Sequence, residues 1–169
     1  MKKQLYCQSC GSILQKKLIE ARERNECPIC GWVYYPQLKV TAGVLVEKEG
    51  KILLVQRNID PWKSCWYLPA GYVEDDEPPR IAAEREALEE TGFEIETGAI
   101  KDVLFYNDDP RGNGILILYQ GKIISGAITK NKEAMDIRFF SIAEIDNIKL
   151  AGGSHDISIR NWSREYPTG

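Results

Sequence analysis

The sequence predicts an α/β fold, a mixed sheet held between helices and preceded by a small metal-stapled ribbon. Three observations carry that prediction. Two Cys-x-x-Cys pairs stand close together near the start. From residue 40 onward, short β-branched runs bounded by turn residues alternate with helical patterns. Among those patterns is a helix with an acid face that a helix alone in water has no reason to keep. The division places the ribbon at residues 1–38 and the larger domain at residues 39–169.

In the ribbon, Cys7 and Cys10 are followed after sixteen residues by Cys27 and Cys30, and Gly11 and Gly31 follow the two pairs. This is the spacing of a structural zinc site, because glycine permits the tight turn that brings amides toward sulfur. Four thiolates close a tetrahedron and leave no open position for water, so such a zinc holds a fold together and does no chemistry. Disulfides or a redox pair would call for an exported chain or a βαβ setting, and neither surrounds these cysteines. Residues 14–26, LQKKLIEARERNE, have helical propensity. The zinc geometry is expected to override it and give two short strands.

In the larger domain, Val40 to Val46 and Lys51 to Arg57 read as a hairpin across the turn Glu47-Lys48-Glu49-Gly50. Their apolar residues do not alternate cleanly, so both faces of these strands are expected to be covered. Cys65 lies between Ser64 and Trp66 with no activating base nearby, and reads as a small packed residue. Later strands are expected at Asp102 to Asn107, Ile115 to Gly121 and Asp136 to Phe140, with a loop from Asp108 to Asn113 joining the first two. Ser141 is placed to cap a short helix through Asn147, and Ser154 to cap a closing helix through Arg164. His155, the only histidine, reads as a surface position on that helix. A Ser-His-Asp or Cys-His hydrolase is therefore poorly supported.

The acid helix is the most informative element. Pro78 and Pro79 suit its first turn, Asp75, Asp76 and Glu77 supply N-terminal anions, and Gly92 suits a left-handed stop. Glu86, Glu89 and Glu90 fall within an arc of about 100° shared with Ala82, while Ile81, Ala83, Ala87, Leu88 and Thr91 take the other side. Glu84 is expected to reach solvent or to pair with Arg80. Glu86 and Glu90 are a like-charge pair costing roughly 0.2–0.5 kcal/mol on an isolated helix, and acids near its C-terminus oppose the macrodipole. A hard divalent cation between them reverses the sign of these terms, and such ions usually serve phosphate chemistry.

Read as a pattern, Gly71, Glu77, Arg85, Glu86, Ala87, Glu89, Glu90, Gly92 and Phe93 match every fixed position of the Nudix box over 23 residues. The chain thus resembles the Nudix hydrolases, and Trp66-Tyr67-Leu68-Pro69-Ala70 looks like the segment that leads into their box. The resemblance implies an α/β/α sandwich and a Mg- or Mn-dependent hydrolase of a nucleoside diphosphate linked to another group. It implies Glu86 and Glu90 as main metal ligands, Glu89 in the same cluster, and a backbone oxygen near Ala70 or Gly71. Arg85 would then orient a neighbouring carboxylate, Glu77 or Glu86. Glu133, before the strand at Ile137-Arg138-Phe139-Phe140, resembles the usual location of the proton acceptor. Trp62, Trp66, Tyr67 and Tyr106 are candidates to stack a base.

A ribbon joined to such a domain resembles pyrophosphatases of NADH and of ADP-ribose or FAD. The Ser-Gln-Pro-Trp type motif of the NADH group is missing after Phe93. Gln56-Arg57-Asn58-Ile59-Asp60-Pro61, followed by Leu68-Pro69-Ala70-Gly71-Tyr72, looks more like the ADP-ribose and FAD group, so release of AMP and a phosphorylated remainder is expected. The competing readings are a noncatalytic ligand sensor whose ribbon binds nucleic acid or protein, and a hydrolase of oxidised dGTP. The resemblance also makes a homodimer an expectation.

Composition bounds the rest. With 43% hydrophobic residues there is still no apolar run near the roughly 20 residues needed to cross a bilayer. The start, MKKQLYCQSC, lacks an apolar export segment, so a cytoplasmic location is expected. Residues 1–39 hold seven Lys or Arg against three Glu, but a zinc tetrathiolate removes about two units of that excess, leaving little basis for nucleic-acid binding.

Overall fold

The computed structural model describes residues 5–129 and 131–165, and the chain divides into two compact units, Met1–Gln37 and Leu38–Gly169. The first is a three-stranded antiparallel sheet of β1 (Gln15–Ile19), β2 (Arg22–Glu26) and β3 (Val33–Tyr34), in that order. The segment with helical propensity is the β1–β2 hairpin, as the cysteine spacing demands. Its turn places Glu20 and Ala21 at positive φ. The small core consists of Cys7, Leu14 and Cys27, with Leu5, Trp32 and Tyr34 packed against them. Such a core is too small to hold a unit of this size by itself.

The second unit is built on a seven-stranded mixed sheet. Its elements are β4 (Lys39–Lys48), β5 (Lys51–Arg57), β6 (Trp66–Tyr67), β7 (Ala70–Tyr72), α1 (Pro79–Thr91), β8 (Phe93–Tyr106), β9 (Gly114–Gly126), β10 (Ala134–Ser141), α2 (Ile142–Ile145) and α3 (Gly153–Glu165). The main path runs β10-β5-β4-β9-β8, with β6 beside β5 and β7 beside β4. The pair β4–β9 is parallel and the others are antiparallel. Residues Ala42–Val46 and Ile52–Val55 are buried without interruption, and they alternate between two cores. Val44, Val46, Leu53 and Val55 face Ala82, Ala83 and Ala87 of α1, whereas Leu45, Ile52 and Leu54 pack with Ile145, Ile159 and Trp162 from α2 and α3. This is the α/β/α sandwich, with a helix layer on each side of the sheet.

Several local expectations need correction. β8 begins at Phe93, nine residues before the expected strand, because register shifts between Thr97 and Asp102 break the two-residue alternation that marks a strand. β9 likewise continues to Gly126. The first turn of α1 contains no acid, since the helix starts at Pro79, after Glu77. Its packing face is also rotated: Ala82 and Glu90 are buried, while Ile81 and Leu88 are exposed. Ala82, Ala83 and Ala87 pack against β4, and their small size lets the helix lie close to it. Glu84 neither reaches for Arg80 nor stands in water. Its Oε1 accepts from the Thr97 amide at 3.0 Å and hydroxyl at 2.6 Å, while Arg80 donates to the carbonyls of Thr97 and Gly98. Ser154 is not the cap of α3; the first amide, of Gly153, donates to Asp108 Oδ2 at 2.6 Å. The cap comes from a distant loop, and no local pattern encodes it.

Candidate active site

Two groups of chemically loaded side chains stand out, one in each unit. In the first unit, the Sγ atoms of Cys7, Cys10, Cys27 and Cys30 all lie within 4.8 Å of one another. Cys7–Cys30 and Cys10–Cys27 are both 3.5 Å apart, and Cys10–Cys30 is 3.7 Å. Sulfurs about 2.3 Å from one zinc would be separated by about 3.8 Å, so the donor set fits that ion. The two turns are near copies. Gly11 and Gly31, at φ 72° and 75°, donate their amides to the carbonyls of Cys7 and Cys27.

The second unit holds a cavity of about 580 Å³. One wall is α1 and the strand before it. Gly71, in β7, lies against the Glu86 carboxylate so closely that a Cβ at this position would sit 2.1 Å from its Cδ. Glycine is therefore required by contact and not by an unusual backbone angle. Arg85 is fully engaged. It donates to Glu77 through Nε at 3.1 Å and Nη2 at 2.5 Å, to Glu86 at 2.9 Å, to Glu89 at 3.4 Å and to the Tyr72 carbonyl at 3.0 Å. This fork holds the Glu77 carboxyl below the usual range.

The three helix glutamates are in different surroundings. Glu90 is only 5% exposed, and accepts from the Tyr67 hydroxyl at 2.5 Å and the Ala70 amide at 3.0 Å. Burial pushes its carboxyl up to about 8 against those two donors. Glu86 is also raised by burial, with Arg85 opposing, whereas the Glu89 side chain is 60% exposed. Their oxygens are less tightly grouped than the cysteine sulfurs: among the described residues only the sulfurs form a set of three or more within 4.8 Å. Glu86 and Glu89 share the Arg85 guanidinium, while Glu90 turns to Tyr67 and the Ala70 amide. Asn131 ties the following loop to the same helix end. Its Nδ2 donates to the Glu90 carbonyl at 2.6 Å and its Oδ1 accepts from the amides of Glu133 and Ala134, which brings Glu133 to the cavity wall.

Of the four aromatic candidates, Trp62 and Tyr106 line the cavity. Tyr67 also borders it but is buried, with its hydroxyl committed to Glu90. Trp66 is elsewhere: it belongs to the opposite core, edge-on to Phe140 at 4.5 Å and under Arg138. Adjacent strand residues point to opposite faces, so Trp66 and Tyr67 cannot both face the cavity. His155 is half-buried and not the plain exposed position expected. It lines the cavity edge-on to Tyr67 at 5.7 Å, and burial drops its imidazole to about 4, so it is neutral near pH 7. The sequence reading also missed Arg57, Tyr72, Asp108, Asp109, Arg111 and Asn131 in the cavity wall. Arg57 and Tyr72 stand in the stretches that resemble the ADP-ribose and FAD group, and Asp108, Asp109 and Arg111 in an expected loop, but none of them was assigned to the site.

The wall as a whole is acidic. Glu74, Glu86, Glu89, Glu90, Asp108, Asp109 and Glu133 face Arg57, Arg85 and Arg111 among the described residues. A cavity so charged, with hard oxygen donors and the Glu86 carboxylate seated against Gly71, suits divalent cations and an anion bound through them.

Comparison with known proteins identifies the family. A family model described as the NUDIX domain matches residues 37–161. An ADP-ribose pyrophosphatase of Methanocaldococcus jannaschii is 30% identical over 155 residues, covering 91% of this chain and 87% of that protein. A NAD-capped RNA hydrolase NudC of Stutzerimonas stutzeri is 30% identical over 145 residues; the match covers 85% of this chain but 49% of that protein. The crystal structure of a NUDIX hydrolase from Nitrosomonas europaea superposes with a TM-score of 0.78 at 28% identity, covering 95% of this chain and 90% of that one.

Proposed function

The chain belongs to the NUDIX domain family, and on that premise we propose that it is a divalent-cation-dependent pyrophosphatase that splits ADP-ribose, or a dinucleotide such as FAD, into AMP and a phosphorylated remainder. The observation that carries the reading is the acid-rich wall of the cavity, seven carboxyl groups against three guanidinium groups. A diphosphate is repelled from such a wall unless cations intervene. The named activity of the M. jannaschii relative, which this chain matches over nearly its whole length, supports ADP-ribose as the substrate.

In this reading Glu86 and Glu90 hold magnesium or manganese, with Glu89 and the backbone beside Gly71 completing the set. The cation supplies charge neutralisation at the phosphates and lowers the pKa of a bound water. Glu133 accepts the proton of the attacking water. Arg85 touches no substrate; it fixes Glu77, Glu86 and the Tyr72 carbonyl in one network. Trp62 and Tyr106 offer ring faces to the base. Zinc on the four cysteines keeps the first unit folded.

Two substitutions follow. Gly71→Ala should lower kcat on the order of 10²-fold, the effect of displacing a catalytic group by about 1 Å, because the methyl and the Glu86 carboxylate cannot share the space. Arg85→Lys should lower kcat by a similar factor, since one ammonium cannot reproduce the forked contacts to Glu77 and Glu86. Steady-state kinetics with circular dichroism as a folding control measure both. The function itself is tested by incubating the protein and Mg²⁺ with ADP-ribose, FAD, NADH, NAD-capped RNA and oxidised dGTP, and separating products by chromatography. AMP from ADP-ribose at the highest kcat/KM is expected; survival of every compound would favour a ligand sensor.

A further inference from the structure

Glu90 is held by both of its oxygens. Oε1 accepts from the Tyr67 hydroxyl at 2.5 Å, and Oε2 from the Ala70 amide at 3.0 Å. Each carboxylate oxygen has two lone pairs, so one donor on each fixes the plane of the group and leaves one pair per oxygen unused. The ring that carries the hydroxyl is itself fixed. Tyr67 is 2% exposed, His155 of α3 meets it edge-on at 5.7 Å with an interplanar angle of 80°, and the Arg57 guanidinium lies 5.5 Å from its centroid. Arg57 is in turn held by its Nε, which donates to the Pro61 carbonyl at 2.8 Å. Residues from β5 and α3 thus flank the ring of the β6 tyrosine whose hydroxyl reaches one carboxylate oxygen of α1.

We propose that Tyr67 is a positioning residue, whose hydroxyl holds Glu90 in the orientation that receives the divalent cation. This rests on the reading of Glu90 as a cation ligand. A tyrosine that only filled the core would need any acceptor; this one is matched to a group that already has a second donor, with its ring locked from two sides. Donors that orient a metal-binding side chain are typically worth 10- to 100-fold in metal affinity.

The test is Mn²⁺ binding by the full chain without substrate, followed by the electron paramagnetic resonance of free Mn²⁺. Tyr67→Phe keeps the ring, its core volume and its contact with His155, and so tests the oxygen alone. It should bind Mn²⁺ about 10- to 100-fold more weakly than the unaltered chain, while KM for ADP-ribose at saturating Mn²⁺ stays within about twofold. The double variant Tyr67→Phe/Glu90→Gln removes the under-satisfied carboxylate that the single variant leaves, and so tests the same point if the single variant folds poorly. If Tyr67 acts through Glu90, the double variant binds Mn²⁺ no more weakly than Glu90→Gln alone. Additive losses would overturn the proposal, as would Tyr67→Phe binding Mn²⁺ like the unaltered chain while Glu90→Gln binds it poorly. If Glu90→Gln also binds normally, the assignment of Glu90 as a ligand falls, and the role of Tyr67 falls with it.

Discussion

Glu90→Gln is expected to lower kcat/KM for ADP-ribose on the order of 10²- to 10³-fold at saturating Mg²⁺, equivalent to several kcal/mol of lost transition-state charge stabilisation. Glutamine keeps the volume, but its single oxygen can accept from only one of the two donors, Tyr67 or the Ala70 amide, so circular dichroism is the folding control for the variant. Without added divalent cation the variant should be the more stable protein at alkaline pH. The folded carboxyl is raised to about 8 from an ordinary value near 4.5. A raised acid contributes stability that is fully present below the unfolded pKa and is lost as pH rises through the folded one. The melting temperature of the unaltered chain should therefore fall between about pH 4.5 and 8 relative to that of Glu90→Gln. Mg²⁺ should restore it in the unaltered chain and not in the variant, because a ligand that binds only the folded state stabilises by mass action. Calorimetry at pH 6 and pH 8.5, with and without Mg²⁺, reads all of these. An unchanged kcat/KM would remove Glu90 from the site.

The second large effect concerns the first unit. Cys27→Ser should abolish stoichiometric zinc and leave residues 1–37 unfolded, since structural zinc contributes about 10–16 kcal/mol to folding in small metal-bound units. The Cys27 side chain is 1% exposed and lies in a core of three buried residues, which has nothing to replace that contribution. Elemental analysis should give one zinc per chain before the substitution and none after. Limited proteolysis should cut the first unit of the variant while the second survives. A variant that kept its zinc, or a zinc-free first unit that resisted protease, would contradict the assignment.

What the residues disclosed in advance depended on whether the information was local. The bounds of α1 were legible because Pro79 and Gly92 fix backbone geometry by themselves, and Gly92 does take φ 81°. The two cysteine knuckles were legible for the same reason. The near-continuous apolar runs of β4 and β5 announced strands covered on both faces, and two helix layers cover them. By contrast, β8 was hidden by its bulges and by charged residues on its exposed face. Glu84 was misjudged because its partner, Thr97, lies in another element. The exclusion of Trp66 from the cavity and the presence of His155 in it follow from how β6 and α3 meet the sheet, which no spacing along the chain reports. Around the box, sequence named the carboxylates; it did not name the Tyr67 hydroxyl and Ala70 amide as the donors on Glu90, nor Asn131, which holds the backbone carbonyls at the end of α1.

The central claim is that carboxylates on α1 hold a hard divalent cation against a phosphoanhydride. Anomalous diffraction from crystals soaked in Mn²⁺ tests it most directly. An Mn²⁺ peak within coordination distance of Glu86 and Glu90, beside the backbone at Gly71, is the expected result. A clean map with Mn²⁺ bound only elsewhere, and those two carboxylates still turned to Arg85 and Tyr67 alone, would contradict it.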